Sequence, residues 1–374
     1  MERWMILFNI NLMLILLFLL TYFLNKVSNN GIFFGIRFPL EYLKEEKLIN
    51  IEKSYKKVVM IFFIVLFVIT NLIIFNFNIY DNYRLNIFIG VFIIVVMTAV
   101  NAIYIPYYIK VKELKKENGW THEKRNFVIT DTTLRKPKKD DKLRPINNNW
   151  FLLLLIVPIV IIIITMYRYN FSPETINFMG ISNIEFGKLS IKEVFVLFQF
   201  PIAQLFTITL MYIINKIIVN SRVDLNSGEI EKSIIRKKKF RRLGSILMLF
   251  TSIEITIMFS TLQIAMLYNF NITMINNIFS IIIAITMFLF MIEFIKIGQG
   301  GRNINEETEK DELYKDDDDK WILGGLYFNK NDPAWMVEKR RGIGWTINFA
   351  NPKGWLFIGG LIVFIIISII IGNK

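Results

Sequence analysis

The sequence predicts an all-α integral membrane protein with about eight transmembrane helices and a small β-rich module before the last helix. Of its 374 residues, 54% are hydrophobic and 15% aromatic, and the mean hydropathy is +0.45. Apolar runs of about 18 or more residues recur, and each could cross a hydrocarbon core of about 30 Å as a helix. A turn-rich, aromatic stretch at residues 316–355 predicts the module.

The apolar runs divide the chain into eight predicted spans. The first run begins at Trp4, is too long for a signal-peptide core and precedes no small-residue cleavage site, so we expect a retained helix. Pro158 and Pro201 predict interruptions of the fourth and fifth spans, because proline lacks a backbone N–H. The predicted spans are 4–25, 58–79, 86–108, 150–168, 194–218, 244–268, 275–297 and 355–372.

Four regions follow from these spans. They are an N-terminal three-helix region at 1–149, a four-helix region at 150–298, the module at 299–354 and the last helix at 355–374.

Charge in the loops predicts the orientation in a bacterial plasma membrane. Lys and Arg outnumber Asp and Glu by 12 to 6 in residues 110–149 and by 9 to 3 in residues 216–242. Alternating spans place the long loops 26–57, 109–149, 219–243 and 298–354 on one side, and an excess of cations marks that side as the cytoplasm. Both termini are then expected outside.

The usual catalytic signatures are missing from the sequence. There is no cysteine, which excludes disulfides and thiolate chemistry, and no Gly-rich phosphate loop. The single histidine, His122, lies in a basic loop, and we interpret it as a solvated side chain. These absences favour a non-enzymatic protein with no cofactor and no metal, and an intramembrane enzyme is the less favoured alternative.

A polar site within the spans is the main chemical candidate. Glu254 lies deep in an apolar span, where a carboxylate costs several kcal/mol unless it is paired or protonated. Thr251 and Thr261 share its helical face, with Met258 and Ser260 nearby. The alternative is a structural hydrogen bond between helices. The other candidate members or partners are Gln204, Gln199, Asn101 and Asn71.

Basic segments predict contact with anionic lipid headgroups, and no nucleic acid partner is expected. The tract "IIRKKKFRR" places six cations, Arg236, Lys237, Lys238, Lys239, Arg241 and Arg242, beside the sixth span. Earlier in the chain, an extended piece before Pro39 is followed by a charged amphipathic helix to Lys57, which we expect along the inner membrane surface.

The module at 316–355 opens with an acidic run. "YKDDDDK" at 314–320 coincides with a common epitope tag, but its internal position beside Trp321 favours a native acidic linker. Beyond it, "LYFN" and "WTINFA" alternate as half-buried strands do, with turns at "NKNDP" and "RGIG". Trp345, Ile347 and Phe349 would share one face, opposite Thr346 and Asn348.

The module is too small to fold alone, so we expect it to cap the cytoplasmic side of the helices. The residues expected to hold it at the membrane surface or on a partner are Trp321, Trp335, Lys339, Arg340, Arg341 and Trp345, with Trp355 at the interface. In the alternative interpretation, its aromatic residues only anchor the last helix in the headgroups.

Two stretches resemble known families. "YNFSPETINFMGISNIEFGKLSIKEVFVLFQFPIAQL" is similar to a domain of unknown function in bacterial multi-pass membrane proteins, which also occurs in the immunity protein against the sporulation-delay toxin. Ser172–Pro173, Ile176–Phe178, Gly180 and Gly187–Lys188 follow its pattern, whereas the proline and histidine of its core are absent here. "FFGIRFPLEYLKEEKLINIEKSYKK" resembles the first cytoplasmic loop of these relatives.

The module resembles a second domain of unknown function that often closes such chains. Trp321–Phe349 follows the pattern W-x-L-G-G-x-Y-x-N, D-P and V-x-K-R-x-G-x-G-W-T-x-N-F. These resemblances imply an envelope-stress or toxin-immunity sensor that meets an extracellular peptide and engages a cytoplasmic regulator. A transporter of small molecules or lipids that uses the site around Glu254 is the alternative.

Overall fold

The computed structural model describes residues 2–76, 82–120, 142–171, 194–195, 197–221, 230–304 and 317–372, and most of them are helical. Short 3-10 turns occupy Leu40–Lys44, Gln299–Gly301 and Asp318–Lys320. The α-helices are α1 (Glu2–Tyr22), α2 (Leu24–Val27), α3 (Glu46–Asn76), α4 (Asn82–Glu117), α5 (Asn149–Leu154), α6 (Ile156–Phe171), α7 (Gln199–Asn220), α8 (Ile230–Tyr268), α9 (Ile272–Ile297) and α10 (Pro352–Gly372).

By length and composition, six helical stretches among the described residues could cross a membrane. They are Glu46–Asn76, Phe88–Glu117, Asn149–Arg168, Gln199–Asn220, Lys232–Tyr268 and Ile272–Gly301. Two shorter apolar helices, Ile6–Tyr22 and Pro352–Val363, coincide with the first and last predicted spans. The predicted helical class is therefore confirmed, with six membrane-length helices where the sequence predicted eight spans.

Three helices extend well beyond the apolar runs that predicted them. Helix α3 begins at Glu46, so the charged segment to Lys57 continues straight into the span. The segment expected to form a separate amphipathic helix is thus the first part of α3. Similarly, α4 continues to Glu117, and the basic tract at 236–242 lies within α8. Lys, Glu and Arg favour helix, and no proline separates these tracts from the apolar segments.

Both predicted proline interruptions coincide with helix boundaries. Helix α5 ends at Leu154, four residues before Pro158, where the missing proline N–H leaves a carbonyl without its helical donor. Helix α7 begins at Gln199, so Pro201 occupies its first turn, where backbone N–H groups have no helical partner in any case.

Three short antiparallel hairpins provide the β structure. Strand β1 (Ile32–Phe33) pairs with β2 (Ile36–Arg37). In the module, β3 (Trp321–Ile322) pairs with β4 (Leu326–Tyr327), and β5 (Met336–Glu338) pairs with β6 (Trp345–Ile347). A parallel bridge between Tyr327 and Asn348 joins the two module hairpins. The small β-rich module before the last helix is thus present.

The chain divides into two compact units that are discontinuous in sequence. Unit 1 comprises Met1–Lys136, Arg222–Phe240 and Phe288–Pro352, whereas unit 2 comprises Pro137–Ser221, Arg241–Met287 and Lys353–Lys374. The module therefore belongs with the N-terminal region in unit 1. The hydrophobic core of unit 1 runs along α1, α3 and α4 to the β1–β2 hairpin, and includes Leu14, Phe34, Tyr55, Val59 and Tyr104.

Two hairpin turns of unit 1 meet at their glycines. Gly35 and Gly324 both have positive φ, +75° and +65°. A Cβ on Gly35 would lie 2.6 Å from the Gly324 Cα, and one on Gly324 would lie 2.7 Å from the Gly35 Cα. The β1–β2 and β3–β4 hairpins can approach this closely only because neither tip carries a side chain at these positions.

We predict that Gly35→Ala weakens the packing of the module. Left-handed backbone costs a residue with a Cβ about 1–2 kcal/mol, and forcing an atom into a packed site costs about 1–3 kcal/mol. Thermal unfolding of the purified protein should therefore shift clearly downward. Gly325→Ala is the matched control, because the nearest contact of its added Cβ is 4.0 Å away. Equal melting temperatures for the two variants would contradict the tip-to-tip packing.

Candidate functional site

A group of ionised side chains joins the module to the N-terminal region. We call Arg37, Lys115, Asp317, Asp318 and Arg340 the charge cluster. Arg37 Nε donates to Asp317 Oδ1 at 3.2 Å, and Lys115 Nζ donates to Asp318 Oδ2 at 2.6 Å. Arg340 lies between the two carboxylates and donates to Asp317 Oδ1 through Nη2 and to Asp318 Oδ1 through Nη1. The cluster contacts three parts of unit 1, namely the β1–β2 hairpin, the end of α4 and the module.

The charge cluster is largely withdrawn from solvent. The Arg340 side chain is 2% exposed and that of Arg37 is 5% exposed. Backbone groups complete the network, since Arg340 Nη1 donates to the Gly35 carbonyl at 3.1 Å and the Arg37 N–H donates to Asp318 Oδ1 at 3.1 Å. Buried charges are tolerated only with this degree of pairing. The acidic run at 317–318 is therefore a structural element and more than a linker.

The electrostatics of Asp318 follow from its two cationic partners. Burial alone would raise the pKa of this carboxyl, but Arg340 and Lys115 outweigh burial and hold the pKa below its ordinary value of 3.8. Asp318 is thus ionised at neutral pH, as the cluster requires.

Aromatic rings surround the cations of this region. The Arg340 guanidinium lies 5.3 Å from the ring centre of Trp321, and Lys115 Nζ lies 5.8 Å from that of Phe38. Arg341 stacks on Tyr104 at 3.4 Å. Such cation–π contacts are strongest where water is excluded.

A second set of contacts fixes the module to the segments around α8 and α9. Lys237 Nζ donates to Glu338 Oε2 at 2.6 Å, with both side chains buried. Gln299 Nε2 donates to the Gly344 carbonyl at 2.9 Å, and the Gly344 N–H donates to Gln299 Oε1 at 2.7 Å. The start of α8 and the turn after α9 thus contact the same module.

Asn348 holds the interior of the module together. Its side-chain nitrogen donates to the carbonyls of Asn329, Asp332 and Ala334, and its oxygen accepts the N–H groups of Asn329 and Ala350. It is 0% exposed. The alternation in "WTINFA" placed Asn348 opposite the large apolar side chains, and that side of the segment is enclosed as well. Hydrogen bonding to the turns, and not apolar burial, fixes its orientation.

Five of the residues expected on the membrane surface or a partner are buried, namely Arg236, Lys237, Arg241, Trp321 and Arg340. Arg236, Lys237 and Arg340 are buried in unit 1, and Arg241 is buried in unit 2, where it donates to Ser221 O at 2.6 Å. Internal carboxylate and carbonyl groups accept hydrogen bonds from Lys237, Arg340 and Arg241 at these positions. Contact of the basic tract with headgroups stays a prediction. Lys239 is exposed and Lys238 and Arg242 are half-buried, with Arg242 donating to the carbonyls of Lys142 and Arg144.

The predicted tryptophans contribute to the packing of unit 1. Trp321 is buried with its ring 4.8 Å from that of Tyr327. Trp345 is half-buried, and its ring lies 5.5 Å from that of Phe240. Trp335 is half-buried and its carbonyl accepts the Asn348 N–H at 2.9 Å.

Unit 2 contains a neutral polar row along α8. Gln204 Nε2 donates to the Thr256 carbonyl at 2.9 Å and to Ser260 Oγ at 3.1 Å. One turn further, Gln263 Nε2 donates to Thr165 Oγ1 at 3.1 Å and to the Leu197 carbonyl at 2.9 Å. We call Thr165, Gln204, Thr256, Ser260 and Gln263 the polar row. Both glutamines are 0% exposed.

Glu254 lies on a different face of α8 from the polar row. Its Oε1 accepts a hydrogen bond of 2.5 Å from Thr286 Oγ1 on α9, and its buried Oε2 has no hydrogen-bond partner among the described residues. Because residues two positions apart do not share a helical face, Glu254 cannot join Thr256 and Gln204 in one site. Thr286 is a partner that the sequence pattern did not single out.

The remaining candidates of the polar site lie elsewhere. Asn101 belongs to unit 1, where it accepts a hydrogen bond of 3.2 Å from Arg341. Asn71 exchanges hydrogen bonds of 3.0 Å with Asn11 of α1. Gln199 is half-buried at the start of α7. The four predicted site residues Glu254, Gln204, Gln199 and Asn101 are therefore not brought together by the described contacts.

Some predicted features lie outside the described residues. These are His122, the segment 172–188 that carries the first family resemblance, and residues 314–316 of the acidic run. Within the described ranges, no group of three or more His, Cys, Asp or Glu side chains could hold a metal ion.

Comparison with known proteins gives one match. A family of unknown function (DUF5808) matches residues 330–355. This segment contains the β5–β6 hairpin, Glu338 and Arg340 of the module, so the predicted domain of unknown function is confirmed for this segment. No curated protein and no solved structure matches the chain significantly.

We predict that Asp317→Asn destabilises unit 1 strongly. Removing one partner of a buried ion pair leaves uncompensated cations and costs about 3–5 kcal/mol. Limited proteolysis should then cleave the module faster in the variant than in the unmodified protein. Asp319→Asn is the matched control, because Asp319 belongs to the same acidic run but is exposed. If both variants were as resistant as the unmodified protein, the charge cluster would not hold the module.

The stabilising effect of Asp318 should depend on pH in a definite direction. Its folded pKa is lowered, so its contribution is complete above the ordinary value of 3.8 and disappears as the pH falls through the folded pKa. The difference in melting temperature between the unmodified protein and Asp318→Asn is therefore largest near neutral pH and narrows in acid. If this difference in melting temperature widened as the pH fell, the result would contradict a lowered pKa for Asp318 in the folded protein.

Proposed function

We propose that this chain is a non-enzymatic multi-pass protein of a bacterial plasma membrane that senses envelope stress or a toxic extracellular peptide. The face of unit 1 that is formed by the module and the segments it contacts passes the signal to a regulator. The six membrane-length helices support the membrane location. The family resemblances imply the sensing or immunity role, with an extracellular peptide on the outer side and a cytoplasmic regulator at the module.

The observation that carries this proposal is the convergence of three separate loops on the module, which itself lies in a fourth loop. The predicted cytoplasmic loops 26–57, 109–149, 219–243 and 298–354 each supply a partner in the buried ion pairs, namely Arg37, Lys115, Lys237 and the module's acidic residues. Charged loops that bind one another belong in one aqueous compartment, which supports the cytoplasmic assignment by the positive-inside bias.

A convergence of this kind suits signalling by a regulator. The module contacts the ends or beginnings of several helices at once, so a shift in any of them changes the buried pairs that hold it. A structure with two arrangements of such pairs is the physical basis of a switch. The exposed cation Lys239 is accessible to anionic headgroups or a partner.

A transporter of small molecules or lipids is the second candidate, and a specific observation favours it. Glu254 presents a buried carboxylate oxygen without a described partner, and ionisable groups within apolar helices often belong to substrate or proton pathways. The polar row of the same unit could supply further hydrogen bonds to a substrate.

Complementation separates the two candidates. Cells that lack the gene should become more sensitive to at least one peptide toxin or envelope stress in a panel, and the unmodified gene should restore resistance. Glu254→Gln keeps the shape and the hydrogen bond from Thr286 but removes the charge, so we expect full restoration if the protein senses. Loss of restoration by a variant present at normal membrane levels would favour transport.

The module provides the complementary test. Asp317→Asn should fail to restore resistance, while the exposed Asp319→Asn should restore it. Normal resistance in cells without the gene, across the whole panel, would contradict the sensing proposal.

A further inference from the structure

One face of the β3–β4 hairpin is apolar and exposed. Trp321 and Tyr327 face inward and are buried, whereas Ile322, Leu326 and Phe328 alternate with them and face outward. Leu323, in the turn, is exposed as well. The outward side chains are 41–52% exposed, and we call them the hairpin patch. They are Ile322 (52%), Leu323 (41%), Leu326 (46%) and Phe328 (42%).

The tip of this hairpin is fixed against α4. Tyr104 Oη lies 2.8 Å from the Phe34 carbonyl and 3.3 Å from the Leu323 carbonyl, so its hydroxyl group lies between the two hairpin tips. The Gly35–Gly324 contact lies at the same point. The hairpin patch is therefore fixed at the level of Tyr104 along the axis of α4.

That level lies inside the predicted span of α4. Tyr104 precedes the predicted end of the span at residue 108 by four residues, or about 6 Å along the helix axis. Helix α4 exposes apolar side chains on both sides of this level, with Met97 at 52% and Ile109 at 45%. The hairpin patch thus lies at a level of α4 where the helix also exposes apolar side chains.

A cation lies at the same level along α4. Arg341 covers the Tyr104 ring and donates to Asn101. Arginine side chains of this kind extend along apolar surface with their charge toward headgroups. Apolar residues and cations at one level are typical of the membrane interface, where amphipathic elements insert about 5–10 Å.

We propose that the hairpin patch inserts into the cytoplasmic leaflet and contacts lipid acyl chains near the headgroups. The module is then a peripheral anchor built into an integral protein, held by α4 on one side and by lipid on the other. The inference rests on the proposed membrane location and adds to it a lipid-binding surface. Its partner is the bilayer, because the patch is fixed at a level inside the predicted span of α4, where the helix itself exposes apolar side chains.

Lipid quenching in nanodiscs tests this directly. The chain has no cysteine, so single cysteines can be introduced into the full-length protein without a background. Leu323→Cys and Phe328→Cys are labelled with an environment-sensitive fluorophore, with Lys330→Cys as the aqueous control. Ile94→Cys, which replaces a side chain 67% exposed in the middle of α4, is the control for the span.

Nitroxide lipids labelled near the headgroup end of the acyl chain should quench the Leu323 and Phe328 positions several-fold more than the Lys330 position. Iodide should show the opposite order. If iodide quenched Leu323 and Lys330 equally while Ile94 was quenched by lipid, the hairpin inference would be overturned and the membrane proposal would stand.

Two further outcomes also decide against the proposal. In the first, neither quencher reaches the hairpin positions and energy transfer occurs between protein copies. The patch would then bind a second copy of the chain. Absence of lipid quenching at Ile94 would overturn the membrane location and the hairpin inference together.

Discussion

The burial of Arg340 between Asp317 and Asp318 is the interaction on which unit 1 depends. A guanidinium that is almost fully withdrawn from water is tolerated only while both carboxylates and the Gly35 carbonyl accept its hydrogen bonds. These partners come from opposite ends of the sequence. The module's own apolar core is small, consisting of Trp321, Tyr327 and Val337. A segment of about 35 residues with such a core needs external contacts to be stable. The module therefore folds only when it packs against the rest of unit 1.

Buried ion pairs favour a particular arrangement more than they add net stability, since desolvation offsets much of their attraction. Here that property has a consequence for function. The cluster and the Lys237–Glu338 pair select a single placement of the module against several helix ends. Any alternative placement would have to bury the same charges in another paired arrangement. Unit 2 is built on different chemistry, with neutral glutamine, threonine and serine side chains in its interior and Glu254 bonded to Thr286 on a separate helical face.

Hydrophobic runs predicted the helices well, because apolar length is a local property of the sequence. The breaks near Pro158 and Pro201 were predictable for the same reason, since each depends on one missing N–H. The partners of the charges were not predictable. Arg37 and Asp317 are 280 positions apart, and nothing local distinguishes a cation that pairs inside the protein from one that faces headgroups. The burial of Asn348 was not predictable because alternation measures polarity, while this burial follows from five hydrogen bonds to neighbouring turns.

The most direct test of the central claim is a double-mutant cycle between Arg37 and Asp317. Unfolding free energies are measured for Arg37→Met, Asp317→Asn, the double variant and the unmodified protein under one set of conditions. If the two side chains share a buried pair, the double variant should be less destabilised than the sum of the single variants by about 1–3 kcal/mol. Additivity within about 0.5 kcal/mol would show that the side chains are independent, and would contradict the account in which the charge cluster joins the two ends of unit 1.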